Sequence, residues 1–193
     1  MTIFVSDTFT ANDYTLLQNH APETGGTWVK ISANDLNIRS NYLRAYSSGD
    51  FGQYYNDAAP GTAEYDVEQD MTKGSGNAGA YARLADSNNY YYWYSTQAVY
   101  YLRKIVAGVV TLLDTLTEDF PAGATATKFE IRDASKKVYI GGDQKLTSAD
   151  NALTSAGYAG VYESDINWHI DNFVATTAGA PPTGYAHSQA MII

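Results

Sequence analysis

The chain has 193 residues, with 12 Lys+Arg against 21 Asp+Glu; the resulting net charge of −9 repels phosphate backbones and argues against a nucleic-acid partner. It contains no cysteine, which excludes disulfides, thiolate metal sites and a cysteine nucleophile. Charged residues are only 17% and hydrophobic ones 45%, which excludes a disordered acidic tail, and no apolar run approaches the ~18 residues of a membrane span.

The opening MTIFVSDTFT lacks the basic start and long apolar segment of a secretory signal, so none is expected there. Period-2 alternation then predicts strands over residues 2–9, 27–32, 35–39 and 42–46, with a helical turn near 13–19 or within 147–155. Further strands are expected at 63–71, 79–84, 90–95, 99–105, 108–116, 127–133, 136–140, 157–162 and 165–176. Between them lie turn signals such as Thr24-Gly25-Gly26, Ser48-Gly49-Asp50, Gly74-Ser75-Gly76-Asn77, Asp86-Ser87-Asn88-Asn89 and Gly141-Gly142-Asp143. Many short strands at near-regular spacing read as an all-β, antiparallel two-sheet sandwich over residues 1–176. Residues 177–193 differ in kind. Their small residues, the Pro181-Pro182 pair and the apolar end predict an extended C-terminal arm. Pro181, Pro182, Tyr185, Met191, Ile192 and Ile193 are its candidate partner-binding residues, on a neighbouring copy or another protein.

Glu64-Tyr65-Asp66-Val67-Glu68 places three carboxylates on one face of a strand, because side chains at i, i+2 and i+4 point the same way. Retaining glycosidases need two carboxylates about 5 Å apart, and the pattern resembles the ExDxE strand of laminarinase- and lichenase-type glucanases. The alternative is a solvated or weakly sugar-binding face behind Tyr65, Val67 and Met71, and the continuation of the row to Asp70 fits that alternative. Tyrosine is concentrated further on: six of the 17 tyrosines fall between Tyr90 and Tyr101. Alternation sends Tyr90, Tyr92 and Tyr94 to one face and Tyr91 and Trp93 to the other. Such rings suit a core row, a protein contact or a platform for sugar rings, with Arg83 as a polar companion. Asp7 and Asp171 are either satisfied turn and edge carboxylates or oxygen ligands of a structural calcium. His20, His169 and His187 match no zinc spacing, and no other cofactor is required.

Ser6-Asp7-Thr8-Phe9, the Trp28 strand, residues 64–71, Gly79-Ala80-Tyr81-Ala82-Arg83 with Asn88-Asn89-Tyr90, Gly157-Tyr158-Ala159-Gly160-Val161 and Asp171-Asn172-Phe173 occur in that order. Together they resemble the concanavalin A-like lectin/glucanase (laminin-G-like) jelly roll over roughly residues 3–176. The resemblance implies two curved antiparallel sheets, often a carbohydrate-binding concave face, and sometimes calcium. The family includes enzymes, lectins and non-catalytic modules, some of them parts of tailed-bacteriophage virions. The resemblance alone does not choose among these. A small jelly roll with no signal peptide, no cysteines and an apolar tail leads to the expectation of a non-enzymatic virion structural protein of a tailed bacteriophage, a capsid decoration or surface accessory protein anchored partly by its tail. On that reading it is made in the host cytoplasm and displayed on the virion surface as a homo-oligomer. Its partners would then be the major capsid protein or neighbouring copies. The alternative is a carbohydrate-binding, lectin-like adhesion module with a glycan on Tyr90, Tyr92, Tyr94, Arg83, Glu64, Asp66 and Glu68. A glucanase using Glu64 and Glu68 is the third reading.

Overall fold

The computed structural model describes residues 1–47, 49 and 51–178. The first eight strands are β1 (Ile3–Asp7), β2 (Thr15–Leu16), β3 (Trp28–Lys30), β4 (Leu36–Arg39), β5 (Tyr42–Ala45), β6 (Gly52–Asn56), β7 (Tyr65–Thr72) and β8 (Ala78–Asp86). The remainder are β9 (Asn89–Ser95), β10 (Val99–Val106), β11 (Val109–Thr117), β12 (Ala124–Arg132), β13 (Ser135–Ile140), β14 (Asp143–Ser148), β15 (Tyr158–Glu163) and β16 (His169–Thr177). A single 3-10 turn, Leu17–Asn19, lies where a helical turn was expected at 13–19, and none forms at 147–155. Each expected strand is present, while β2, β6 and β14 are additional. The last strand starts at His169 rather than 165, because Asp165 Oδ1 accepts the Asn167 N–H at 2.9 Å and closes a turn there.

The strands form two antiparallel sheets. One runs β14-β13-β12-β7-β16-β5-β4-β2, with β1 beside the end of β16; the other runs β11-β10-β9-β8-β15-β6-β3. Alternate side chains of each sheet meet between them. Val67, Met71, Phe129, Val138, Ile170 and Phe173 face Ala80, Ala82, Tyr91, Trp93, Leu102 and Val161. The alanines of β8 leave room for the adjacent Tyr91 and Trp93, so large and small side chains interdigitate. Each large apolar side chain buried in this way contributes about 1.5–3 kcal/mol.

Two bulges set the phase of the alternation. At Arg83 the backbone turns to φ 50°, the register with β9 shifts, and Leu84 joins the outer face instead of the core. At Asn172, with φ 51°, a second bulge lets Ile170 and Phe173, three residues apart, both face inward. The two sheets are further tied by Tyr65, whose hydroxyl donates to the Gly157 carbonyl at 2.9 Å and accepts the Arg83 N–H.

Candidate binding face

The outer side of the seven-stranded sheet is paved with tyrosine. On β9, Tyr91 and Trp93 enter the core and Tyr90, Tyr92 and Tyr94 turn outward, as alternation predicts. Tyr81 from β8, Tyr101 from β10 and Tyr162 from β15 join them through ring contacts, and Tyr158 from β15 and Tyr55 from β6 pack against the same cluster. Tyr92 stacks on Tyr94 at 5.9 Å between ring centroids, and Tyr94 stacks on Tyr101 at 5.0 Å, making a short ladder of parallel rings. A second stack joins Tyr55 and Tyr158 at 4.9 Å. Tyr81 lies between them, edge-on to Tyr90 at 5.1 Å and to Tyr162 at 6.0 Å.

Glycine makes the central strands fit. A Cβ at Gly79 would stand 1.9 Å from the Trp93 carbonyl oxygen, and one at Gly160 would stand 2.3 Å from that of Tyr54. Both positions therefore require glycine for the close approach of neighbouring strands.

Tyr81 is 1% exposed, and its hydroxyl is shielded without a hydrogen-bond partner of good geometry. Burial, then the neighbouring Tyr90, Tyr162 and Tyr92, push its pKa well above the usual phenol value. Tyr90 and Tyr162 are pushed up to about 12, again chiefly by burial. These hydroxyls stay neutral at physiological pH and act as hydrogen-bond donors and acceptors.

The acidic row lies elsewhere. Asp66 and Glu68 lie on β7 of the nine-stranded sheet and Glu64 just before it, and none is joined to Tyr90, Tyr92 and Tyr94. Asp66 is clamped by Arg132 at 2.8 Å and Lys128 at 3.0 Å, and Glu130 lies within 3.5–3.8 Å of the same two cations. Glu64 Oε1 accepts the Asp133 N–H at 3.1 Å. Burial pulls the Lys128 ammonium down, yet the hydrogen bond and charge of Asp66 outweigh it and hold lysine above its ordinary pKa. Cations from β12 thus pair with Asp66 across the strand pair.

Arg83 is also away from the tyrosines. It was expected as a polar companion to Tyr90, but the bulge turns it inside, 1% exposed. There it donates to the carbonyls of Ala63 and Leu153 and sits 3.3 Å from Asp133 Oδ1. It is a strut across the end of the sandwich.

Of the two calcium candidates, Asp7 is bound up by the protein itself. Asp7 is fully buried; its Oδ2 accepts the Trp28 indole N–H at 2.7 Å, and its Oδ1 accepts the Phe9 N–H at 2.7 Å and meets His20 Nε2 at 2.9 Å. Its lone pairs are spent on the protein. Asp171 Oδ1 accepts the Asn172 N–H, and burial first, then Asp70, Asp7 and Glu23, push its carboxyl up to about 6. Among the described residues no three acidic or imidazole side chains converge to hold a metal. Pro181, Pro182, Tyr185, Met191, Ile192 and Ile193 lie outside the described residues.

No protein-family model matches the chain, and neither does any curated protein. Solved structures do. The carbohydrate binding module CBM66 from Bacillus subtilis superposes with a TM-score of 0.66 at 15% identity, covering 78% of this chain and 95% of that one. A Bacillus licheniformis β-glucanase gives 0.60 at 14% identity, covering 88% and 100%. The exoplasmic/lumenal domain of VIP36, in a Ca2+/Man-bound form, gives 0.63 at 13% identity, covering 86% and 87%. The fold is the concanavalin A-like jelly roll. Within this jelly roll the similar structures include both binding modules and hydrolases, so fold alone does not choose between the two activities.

Alternation on β9 located three of the eight tyrosines of the face. Tyr55, Tyr81, Tyr101, Tyr158 and Tyr162 were not assigned to it, although tyrosines four apart in Tyr158-Ala159-Gly160-Val161-Tyr162 already share one side of a strand.

Proposed function

We propose that this jelly roll is a non-catalytic carbohydrate-binding module that receives a sugar chain on the tyrosine face of its seven-stranded sheet. The observation that carries the reading is the stacked ladder Tyr92–Tyr94–Tyr101, part-exposed and on rigid strands. Aromatic faces with neutral hydroxyls at their edges offer sugars both an apolar platform and hydrogen bonds. Similarity to a carbohydrate binding module and to a mannose-bound lumenal domain supports it. A non-catalytic role is supported by the carboxylates of the acidic row: Asp66, on the opposite sheet, is ion-paired, and Glu64, just before that strand, is hydrogen-bonded. Display on a virion surface, as the sequence resemblance suggested, is compatible with this role and is proposed only as its setting.

The test is titration calorimetry against a glycan panel with the unmodified protein and with Tyr94→Ala. Truncating a tyrosine at the centre of a contact commonly removes about 1–2 kcal/mol, so roughly five- to thirty-fold weaker binding is expected. Unchanged affinity in the variant would place the sugar elsewhere.

A further inference from the structure

We propose that the ligand of the tyrosine face is an acidic sugar chain whose carboxylate is received by Arg103; this rests on the reading of that face as the sugar-binding surface. Arg103 stands on β10 with its guanidinium over the rings of Tyr101, at 4.8 Å, and Tyr94, at 5.3 Å. Among the described residues no hydrogen bond engages its guanidinium, whose N–H groups can grip a carboxylate in a two-pronged hydrogen bond. Its Nε is shielded and meets no acceptor, and no carboxylate among the described residues pairs with it.

Arg39 and Arg44 likewise lie over tyrosine rings with no carboxylate partner among the described residues; Arg103 differs from them in standing on the tyrosine ladder. The next residue makes the contrast. Lys104 turns the other way and pairs with Asp150, while Lys128 and Arg132 on the opposite sheet share Asp66. The stretches that carry the tyrosines, residues 77–81, 90–94, 101–105 and 158–162, hold no Asp or Glu. A cation is thus set at the end of an aromatic ladder, on strand stretches that hold no acid. A neutral sugar would leave that charge uncompensated beneath it, whereas a hexuronate would complete it.

The experiment uses oligogalacturonate, oligomannuronate and hyaluronan oligosaccharides, each beside its carboxyl-reduced neutral form. Calorimetry at low and at physiological salt is run on the unmodified protein and on Arg103→Gln and Arg103→Lys. The expected result is at least one acid form bound about tenfold more tightly than its reduced form, with the preference weakening as salt rises. Arg103→Gln is expected to abolish that preference, and Arg103→Lys to retain part of it. Thermal melting checks that both variants fold, and Arg103→Lys alone decides the matter if Arg103→Gln does not. Equal binding of acid and reduced forms, or an acid preference that survives Arg103→Gln, overturns the proposal and leaves the sugar-binding reading standing. No binding by any member, acid or neutral, overturns both.

Discussion

Glu163 shows what a single buried group does to this protein. It is fully buried at the end of β15, with both carboxyl oxygens shielded and without a hydrogen-bond partner of good geometry. Burial holds its pKa well above the usual glutamate value, against a backbone hydrogen bond at Ala45 and then the charge of Arg44. The folded state therefore keeps a proton that the unfolded chain releases near its ordinary pKa of 4.5. With fewer protons bound when unfolded, the protein loses stability as pH rises above 4.5, with a limiting slope of about 1.4 kcal/mol per pH unit from this group. Glu163→Gln matches the neutral acid in shape and removes the slope. Denaturant unfolding at pH 5, 6.5 and 8 is expected to show a variant whose advantage over the unmodified protein grows with pH. A constant difference across that range would mean that Glu163 is ionised in the fold.

At the scale of elements, alternation gives the facing of most strands, and bulges decide where it changes phase. A regular β8 would send Leu84 inward and Arg83 outward; the turn to φ 50° at Arg83 reverses both. No feature of Gly79-Ala80-Tyr81-Ala82-Arg83 announces that turn, because arginine has no preference for positive φ, and the strut to Ala63, Leu153 and Asp133 compensates for it. β6 and β14 were illegible for different reasons. β14 is an edge strand whose six residues bury only Leu146, so its pattern is almost wholly polar. β6 begins at a glycine and alternates two tyrosines, Tyr54 inward and Tyr55 outward, which one hydrophobicity value cannot tell apart. Gly160 offers a direct test of how these strands fit. Gly160→Ala must push β6 away from β15, since its Cβ would meet the Tyr54 carbonyl at 2.3 Å. A loss of about 2 kcal/mol or more is expected in thermal or denaturant unfolding, together with weaker glycan binding as Tyr55 shifts from Tyr158.

Over the whole molecule, the Asp66 ion-pair network and the tyrosine cluster lie on different sheets. One sheet carries the Asp66–Lys128–Arg132–Glu130 network and the other carries the tyrosines with Arg103. The separation predicts independence. Asp66→Asn is expected to cost about 1–2 kcal/mol of stability, because it leaves two half-buried cations short of a partner, and to leave glycan affinity within error. Calorimetry beside unfolding curves measures both; a several-fold change in affinity would tie the acidic row to the binding site. Composition and alternation were sufficient for the all-β sandwich, for the outward Tyr90, Tyr92 and Tyr94, and for the core-facing Tyr91 and Trp93, because those properties depend on neighbours within one strand. Pairing across strands lay beyond them. It brings β8, β9, β10, β15 and β6 side by side, gathers tyrosines from residues 55 to 162 onto one surface, and puts the acidic strand in the other sheet. Those contacts join residues far apart in sequence, so only the folded chain, with its register and its two bulges, decides them.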